Sequence, residues 1–224
     1  MKLSNNKAYT LIEMLVVVVI VFILISVIIP TTVVIQKRAS SVACIGSLKQ
    51  IHSALELYTL DSNYFYPKIR YNADGGSNYR WDVFLVRKGY VNVSNKNIAV
   101  DAAPGELFIC PWHQKMAKRQ GTTIKRSYGM NASMRKTGGD GTWDTASNDI
   151  HVKKQWCSLP YAEAILVAEA NEGAEIADDW ESVYNVSGGH VAWTRHDPRS
   201  NYIFVDGHVE SLLPAEAGNY FEWQ

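Results

Sequence analysis

The sequence predicts an α+β chain. A long N-terminal α-helix, apolar in its first half, packs on an antiparallel β-sheet head with long loops. Three observations carry this. Leu11 to Ile29 reads LIEMLVVVVIVFILISVII, in which Glu13 and Ser26 are the polar members. An amphipathic stripe follows it, with Ile45, Leu48, Ile51, Leu55 and Tyr58 at spacings of three and four. Near the C-terminus, Tyr202-Ile203-Phe204-Val205 and His208-Val209-Glu210-Ser211-Leu212 flank Asp206-Gly207, the signature of a tight primed hairpin turn.

At about 1.5 Å per residue, the 19 helical residues of the apolar run span roughly 28 Å, close to the hydrocarbon thickness of a bilayer. Lys2 and Lys7 precede it, so the N-terminus is expected in the cytoplasm and the rest of the chain across the membrane. The run ends in Val27-Ile28-Ile29-Pro30-Thr31 with no A-x-A pattern, which argues against an ordinary secretory signal. A plain anchor leaves Glu13 unexplained, because a carboxylate inside such a run costs about 2.5–3.5 kcal/mol and calls for a partner.

The helical pattern resumes past Pro30, with Lys37, Arg38, Lys49 and Gln50 on polar faces. Asp61-Ser62-Asn63 ends it, and Pro67 follows. One helix from Tyr9 to Leu60 would be roughly 78 Å long. In the head, Trp81 to Leu85 reads equally as helix or strand. Glu106 to Cys110 reads as a strand ended by Pro111, and Arg126 to Asn131 as a further strand. Ala164 to Ala168 is a continuous apolar run expected as a central strand. Residues 136–149 and 171–193 read as long polar loops.

Composition bounds the rest. The 224 residues are 47% hydrophobic and carry 22 basic and 22 acidic side chains, enough apolar matter for a core and too little net charge for a general nucleic-acid binder. Three cysteines are too few for a disulfide scaffold. The basic run Lys115, Lys118, Arg119, Lys125 and Arg126 reads as a solvated loop, with contact to DNA as the competing use. Asp140, Asp144, Asn148 and Asp149 crowd a Gly-rich loop and are weak calcium candidates, although such residues are also ordinary loop composition. No other cofactor is expected. Trp143, Trp180 and Trp193 lie in loop-like stretches and read as loop anchors, with sugar stacking as the competing use. His190, His196, Asp206 and His208 match no known zinc or calcium spacing. They are read as structural, with His196 hydrogen-bonded to the Asp206 turn or nearby backbone.

Lys7-Ala8-Tyr9-Thr10-Leu11-Ile12-Glu13-Met14-Leu15 resembles the class III signal of type IV pilins and type II secretion pseudopilins. The resemblance implies a pilin-like fold and cleavage by a prepilin peptidase between Ala8 and Tyr9, with N-methylation of Tyr9. It also implies a role for Glu13 in assembly, neutralising the new α-amine of a neighbouring subunit. Ala8 stands where the family usually has Gly, and Tyr9 where it usually has Phe. Pro30 falls where the family often carries a helix-weakening proline. Removal of residues 1–8 takes Lys2 and Lys7 and leaves 20 basic against 22 acidic side chains.

Cys44-Ile45-Gly46-Ser47-Leu48-Lys49-Gln50-Ile51 and Tyr64-Phe65-Tyr66-Pro67 resemble a C-x-x-N-L-K-Q-I … Y-F-P pattern of one pseudopilin-like group, with Ser47 for Asn. His196, nine residues, then Asp206-Gly207 resembles that group's H-x9-D-G element. Phe108-x-Cys110-Pro111, Ser127 to Asn131, and the apolar strand followed by Glu169 look like further marks of it. The family-like positions of Cys44 and Cys110 suggest that these two pair in an oxidising periplasm, with Cys110–Cys157 as the rival pairing.

The resulting domain plan is a leader at 1–8, a helix at 9–60 whose first part to residue 30 crosses the membrane or forms the filament core, and a head at 61–224. The function expected is a non-enzymatic subunit of a type II secretion pseudopilus or type IV pilus-like filament. Its partners are a prepilin peptidase, other pilin subunits, an inner-membrane assembly platform and the membrane, with no specific nucleic acid. Its place is the bacterial inner membrane, single-pass, head in the periplasm, and then the filament. The alternatives are a membrane-tethered binding protein using aromatic loops on polysaccharide, and a tethered enzyme using His196 and Asp206.

Overall fold

The computed structural model describes residues 10–68, 70–72, 78–93, 105–119, 121, 124, 126–131, 154–157, 159–170, 195, 196, 198–217 and 220. The architecture is pilin-like α+β. A single helix, α1, runs Leu11–Asp61 and continues through Pro30. The chain divides into two compact units, Met1–Ala39 and Ser40–Gln224.

In the first unit the apolar side chains from Leu11 to Ile29 are exposed, and α1 is the helix among the described residues that is long and apolar enough to cross a membrane. Its polar members are satisfied locally. Ser26 Oγ donates to the Ile23 carbonyl at 2.7 Å and Thr32 Oγ1 to the Ile29 carbonyl at 2.8 Å. In hydrocarbon, where no water can serve a hydroxyl, such back-bonding removes most of its desolvation cost.

In the second unit the amphipathic stripe does what its period demands. Leu48, Ile51 and Leu55 are fully buried and Tyr58 nearly so, joined by Cys44 and Ala54, while Ile45 is half-buried. They pack with Leu166, Ile203 and Val205 of the sheet region in one core. The helix stops after Asp61 where Asn63 and Tyr64 take φ of 52° and 65°, a left-handed conformation that no helix continues.

A two-stranded ribbon follows, β1 (Arg70–Asn72) antiparallel to β2 (Asn78–Arg80), which the polar sequence did not announce. Trp81–Lys88 resolves as helix α2, closed by Gly89 at φ 86°. Gly89 N–H donates to Val86 O and Tyr90 N–H to Leu85 O, the paired bonds of a Schellman ending, which requires a left-handed residue at Gly89. The strand expected over Glu106 to Cys110 is instead a 3-10 turn, Glu106–Phe108, leading into helix α3, Pro111–Arg119. The physical reason is Pro111: its fixed φ and missing N–H suit the first position of a helix, so it starts α3 where the reading had it end a strand.

The main sheet is four-stranded and antiparallel in the order β3 (Tyr128–Met130), β4 (Ile165–Glu169), β5 (Ser200–Phe204), β6 (Val209–Leu212). β4 is internal and buried throughout, as its unbroken apolar run predicts. Alternation on β5 divides the packing. Ile203 faces the α1 core, whereas Tyr202 and Phe204 join Ile165, Ala168, Leu212 and Ala217, the last from the short helix α4 (Pro214–Ala217).

The β5–β6 connection is not the two-residue primed turn. Phe204 N–H donates to His208 O and Gly207 N–H to Phe204 O, both at 3.0 Å, which makes a three-residue loop of Val205, Asp206 and Gly207. A primed turn of type I′ needs positive φ at both central residues. Here only Gly207, at 90°, has it. Asp206 Oδ1 accepts from His208 N–H at 3.0 Å, and Val205 O lies 3.1 Å from His52 Nε2 of α1.

A Cβ on Gly207 would lie 2.9 Å from His52 Cε1. Gly207→Ala therefore meets both left-handed strain and a ring of α1. The expected loss is about 1–2 kcal/mol from backbone strain alone. Thermal melting should show His52→Ala restoring only the contact part; a Gly207→Ala protein as stable as wild type would contradict this docking.

Candidate functional site

The first candidate is the start of α1. Thr10 caps the helix, and Glu13 returns the favour. Thr10 N–H and Oγ1–H donate to Glu13 Oε2 at 2.8 and 2.9 Å, and Glu13 N–H donates to Thr10 Oγ1 at 3.3 Å. This is a reciprocal capping box built from Thr10-x-x-Glu13, a signal present in the sequence that the reading above did not use. It folds the carboxylate back toward the chain end preceding Thr10. Ala8 and Tyr9 lie outside the described residues.

The second candidate lies in the head. Cys44, Cys110, Glu169 and His196 each present a donor atom, and these atoms all lie within 4.8 Å of one another. Four separate stretches supply them: α1, the turn before α3, the end of β4, and the segment preceding β5. Cys44 Sγ is 2.8 Å from Cys110 Sγ, and both are free thiols. His196 Nε2 is 3.6 Å from Cys110 Sγ and 3.0 Å from Glu169 Oε1. The site is enclosed, with Cys44, Cys110 and Glu169 fully buried and the His196 side chain 4% exposed.

A supporting layer fixes these groups. Asn201 donates its backbone N–H to Glu169 Oε2 at 3.1 Å and its Nδ2–H to Oε1 at 3.0 Å. Asn201 is itself held by Ser41 and Ser211. Arg195 donates to Ser127 O at 2.8 Å and to Ala170 O, which anchors its charge beside the cluster. Among the described residues His196 Nδ1 is buried and finds no hydrogen-bond partner.

The electrostatics follow from this packing. Burial by itself pushes the Glu169 carboxyl up, but the hydrogen bond and charge of His196, the Arg195 charge and the Asn201 N–H together hold it below its usual range. Burial likewise opposes the charged form of His196. Hydrogen bonds and charge from Cys110 and Glu169 outweigh that and raise it to about 9. Cys110 accepts from Cys44 and faces His196 and Arg195, so it is the more acidic thiol, while Cys44 is driven up. His113 is pushed down to about 4 by burial and by Arg195. It stays neutral and pairs with Ser127 Oγ at 3.0 Å.

The expected sites thus separate. His196 does not contact the Asp206 turn through the hydrogen bonds described; its partners are Glu169 and Cys110. Asp206 Oδ1 instead pairs with His208 Nδ1 at 2.6 Å, an exposed contact. Cys44 and Cys110 are brought together, whereas Cys157 Sγ–H donates to Leu159 O. The basic run is not a loop throughout: Lys115, Lys118 and Arg119 lie on helix α3, where Lys115 Nζ sits 5.5 Å from the Trp112 ring, and Arg126 is withdrawn from the surface by Asp82. Asp140, Asp144, Asn148, Asp149, Trp143, Trp180, Trp193, His190 and Lys125 lie outside the described residues.

Residues 3–29 match the family model described as the Prokaryotic N-terminal methylation motif. That motif is the prepilin-type signal and indicates a type IV pilin-like protein, a class whose members are typically structural subunits rather than enzymes. It implies processing by a prepilin peptidase and, in general, filament assembly from a membrane-anchored state. No curated protein and no solved structure matches the chain.

Proposed function

We propose that this chain is a pseudopilin, a structural subunit of a type II secretion pseudopilus or a related pilus-like filament. Prepilin peptidase would cut between Ala8 and Tyr9, removing the leader at residues 1–8, and methylate the new terminus. An inner-membrane assembly platform would then pass the apolar half of α1 from the bilayer to a bundle of like helices, leaving the head in the periplasm.

The observation that carries this reading is Glu13. It is an acid placed near the start of the apolar half of α1, with its carboxylate turned toward the end where cleavage would create an α-amine. An ammonium in hydrocarbon and a carboxylate in hydrocarbon are each costly, and together they attract more strongly as the dielectric falls. A neighbouring subunit's Glu13 would therefore select one axial register. In a strain carrying the filament machinery, removal of the Glu13 charge should leave the protein in the membrane fraction and out of sheared filaments. Incorporation at the wild-type level would overturn the proposal.

A further inference from the structure

We propose that Cys44, Cys110, His196 and Glu169 form a structural site for a divalent zinc-type ion that fastens the head to its own helix. Four sequence features carry the donors: the Cys44 stretch of α1, Phe108-x-Cys110-Pro111, the acid that ends β4, and the histidine preceding Asp206-Gly207. The fold brings all four donors to one enclosed point. Two thiolates, an imidazole and a carboxylate are a donor set that suits zinc, and a closed four-donor arrangement without an open position is that of a structural rather than a catalytic centre.

The surroundings fit an ion. Asn201 grips both oxygens of Glu169, the kind of outer support that orients a ligating carboxylate. Charge also closes. Two thiolates and one carboxylate against a divalent ion leave one negative charge, and the neighbouring Arg195 guanidinium offsets it. On binding, two S–H bonds and the Nε2–H bond that the His196 imidazolium points at Glu169 break, three protons leave to solvent, and His196 stays neutral with its proton on Nδ1. Two metal–sulfur bonds, one metal–nitrogen bond from the freed Nε2 lone pair and one metal–oxygen bond form, and no electrons change hands.

The sulfur separation does not by itself choose between an ion and a Cys44–Cys110 disulfide. At 2.8 Å the two atoms must part by about 1 Å to share a zinc at about 2.3 Å from each, or close by under 1 Å to bond. What favours the ion is the other half of the site. A disulfide needs neither the buried carboxylate nor the imidazole aimed at the same sulfur.

The test uses the full chain extracted in detergent without reductant or added metal. Elemental analysis should find about one zinc per chain, and replacement by cobalt(II) should produce a thiolate-to-cobalt charge-transfer band. Cys110→Ser should lose the band, and Glu169→Gln should shift it. Chelation should lower the melting temperature of wild type and leave that of Cys110→Ser unchanged. A Cys44–Cys110 disulfide in non-reducing peptide maps of the wild type overturns the proposal. So does a chain without zinc, or zinc retained at full stoichiometry in Cys110→Ser.

Discussion

Replacing Glu13 with glutamine should leave the chain in the membrane yet lower its incorporation into filaments by about a hundredfold. Glutamine can hold the capping box with Thr10, because its side-chain oxygen also accepts from the helix start. The helix beginning is then preserved and only the charge is gone. An α-ammonium left without its carboxylate inside a helix bundle faces a penalty on the scale of a lone charge in a membrane, about 2.5–3.5 kcal/mol, and each 1.4 kcal/mol is a factor of ten. Glu13→Val removes cap and charge together and should be no better. Quantifying each variant in sheared filaments against the membrane pool separates the two roles. If Glu13→Gln assembles like wild type while Glu13→Val does not, the acid serves only as a cap.

The second large effect is in the head. Asp82, 1% exposed, accepts from Arg126 Nε at 2.7 Å through Oδ2, while its Oδ1 accepts from Val83 N–H at 2.8 Å. Asp82→Ala leaves the 13%-exposed Arg126 guanidinium uncompensated and should cost about 3–5 kcal/mol. For a chain of this size that lowers the melting temperature by about 10 °C or more. The double variant Asp82→Leu/Arg126→Met should recover most of the loss, because an apolar pair needs no compensation. A single variant that melts like wild type, or a double variant no better than the single, would show that the pair does not act as a buried ion pair.

What the sequence revealed and what it hid divide along the range of the interactions. The long helix, the Leu48–Ile51–Leu55–Tyr58 face and the internal strand at Ile165–Glu169 are written in local periodicity, and each forms as read. The hairpin is also local, but its turn type depends on the sign of φ at Asp206, which the Asp-Gly pair alone leaves open. The strand expected over Glu106 to Cys110 forms a 3-10 turn instead, because an apolar triplet before proline suits the approach to a helix as well as the end of a strand.

The capping role of Glu13 is legible in Thr10-x-x-Glu13, a pattern no longer than the helical turn it closes. The head cluster differs in kind. Cys44, Cys110 and His196 stood out as separate motifs, and Glu169 as the acid after an apolar run. Their convergence rests on contacts spanning up to about 150 residues, to which no local pattern has access. For the same reason the sequence pairs His196 with the Asp206 turn or nearby backbone, whereas the fold pairs it with Glu169, 27 residues upstream.

That this chain is processed and assembled as a pilin-type subunit is tested at the N-terminal peptide of the membrane-extracted protein. Mass spectrometry of protein made alongside its prepilin peptidase should find a chain that begins at N-methylated Tyr9 and lacks residues 1–8. A chain that retains Lys2 to Ala8 under those conditions would contradict it.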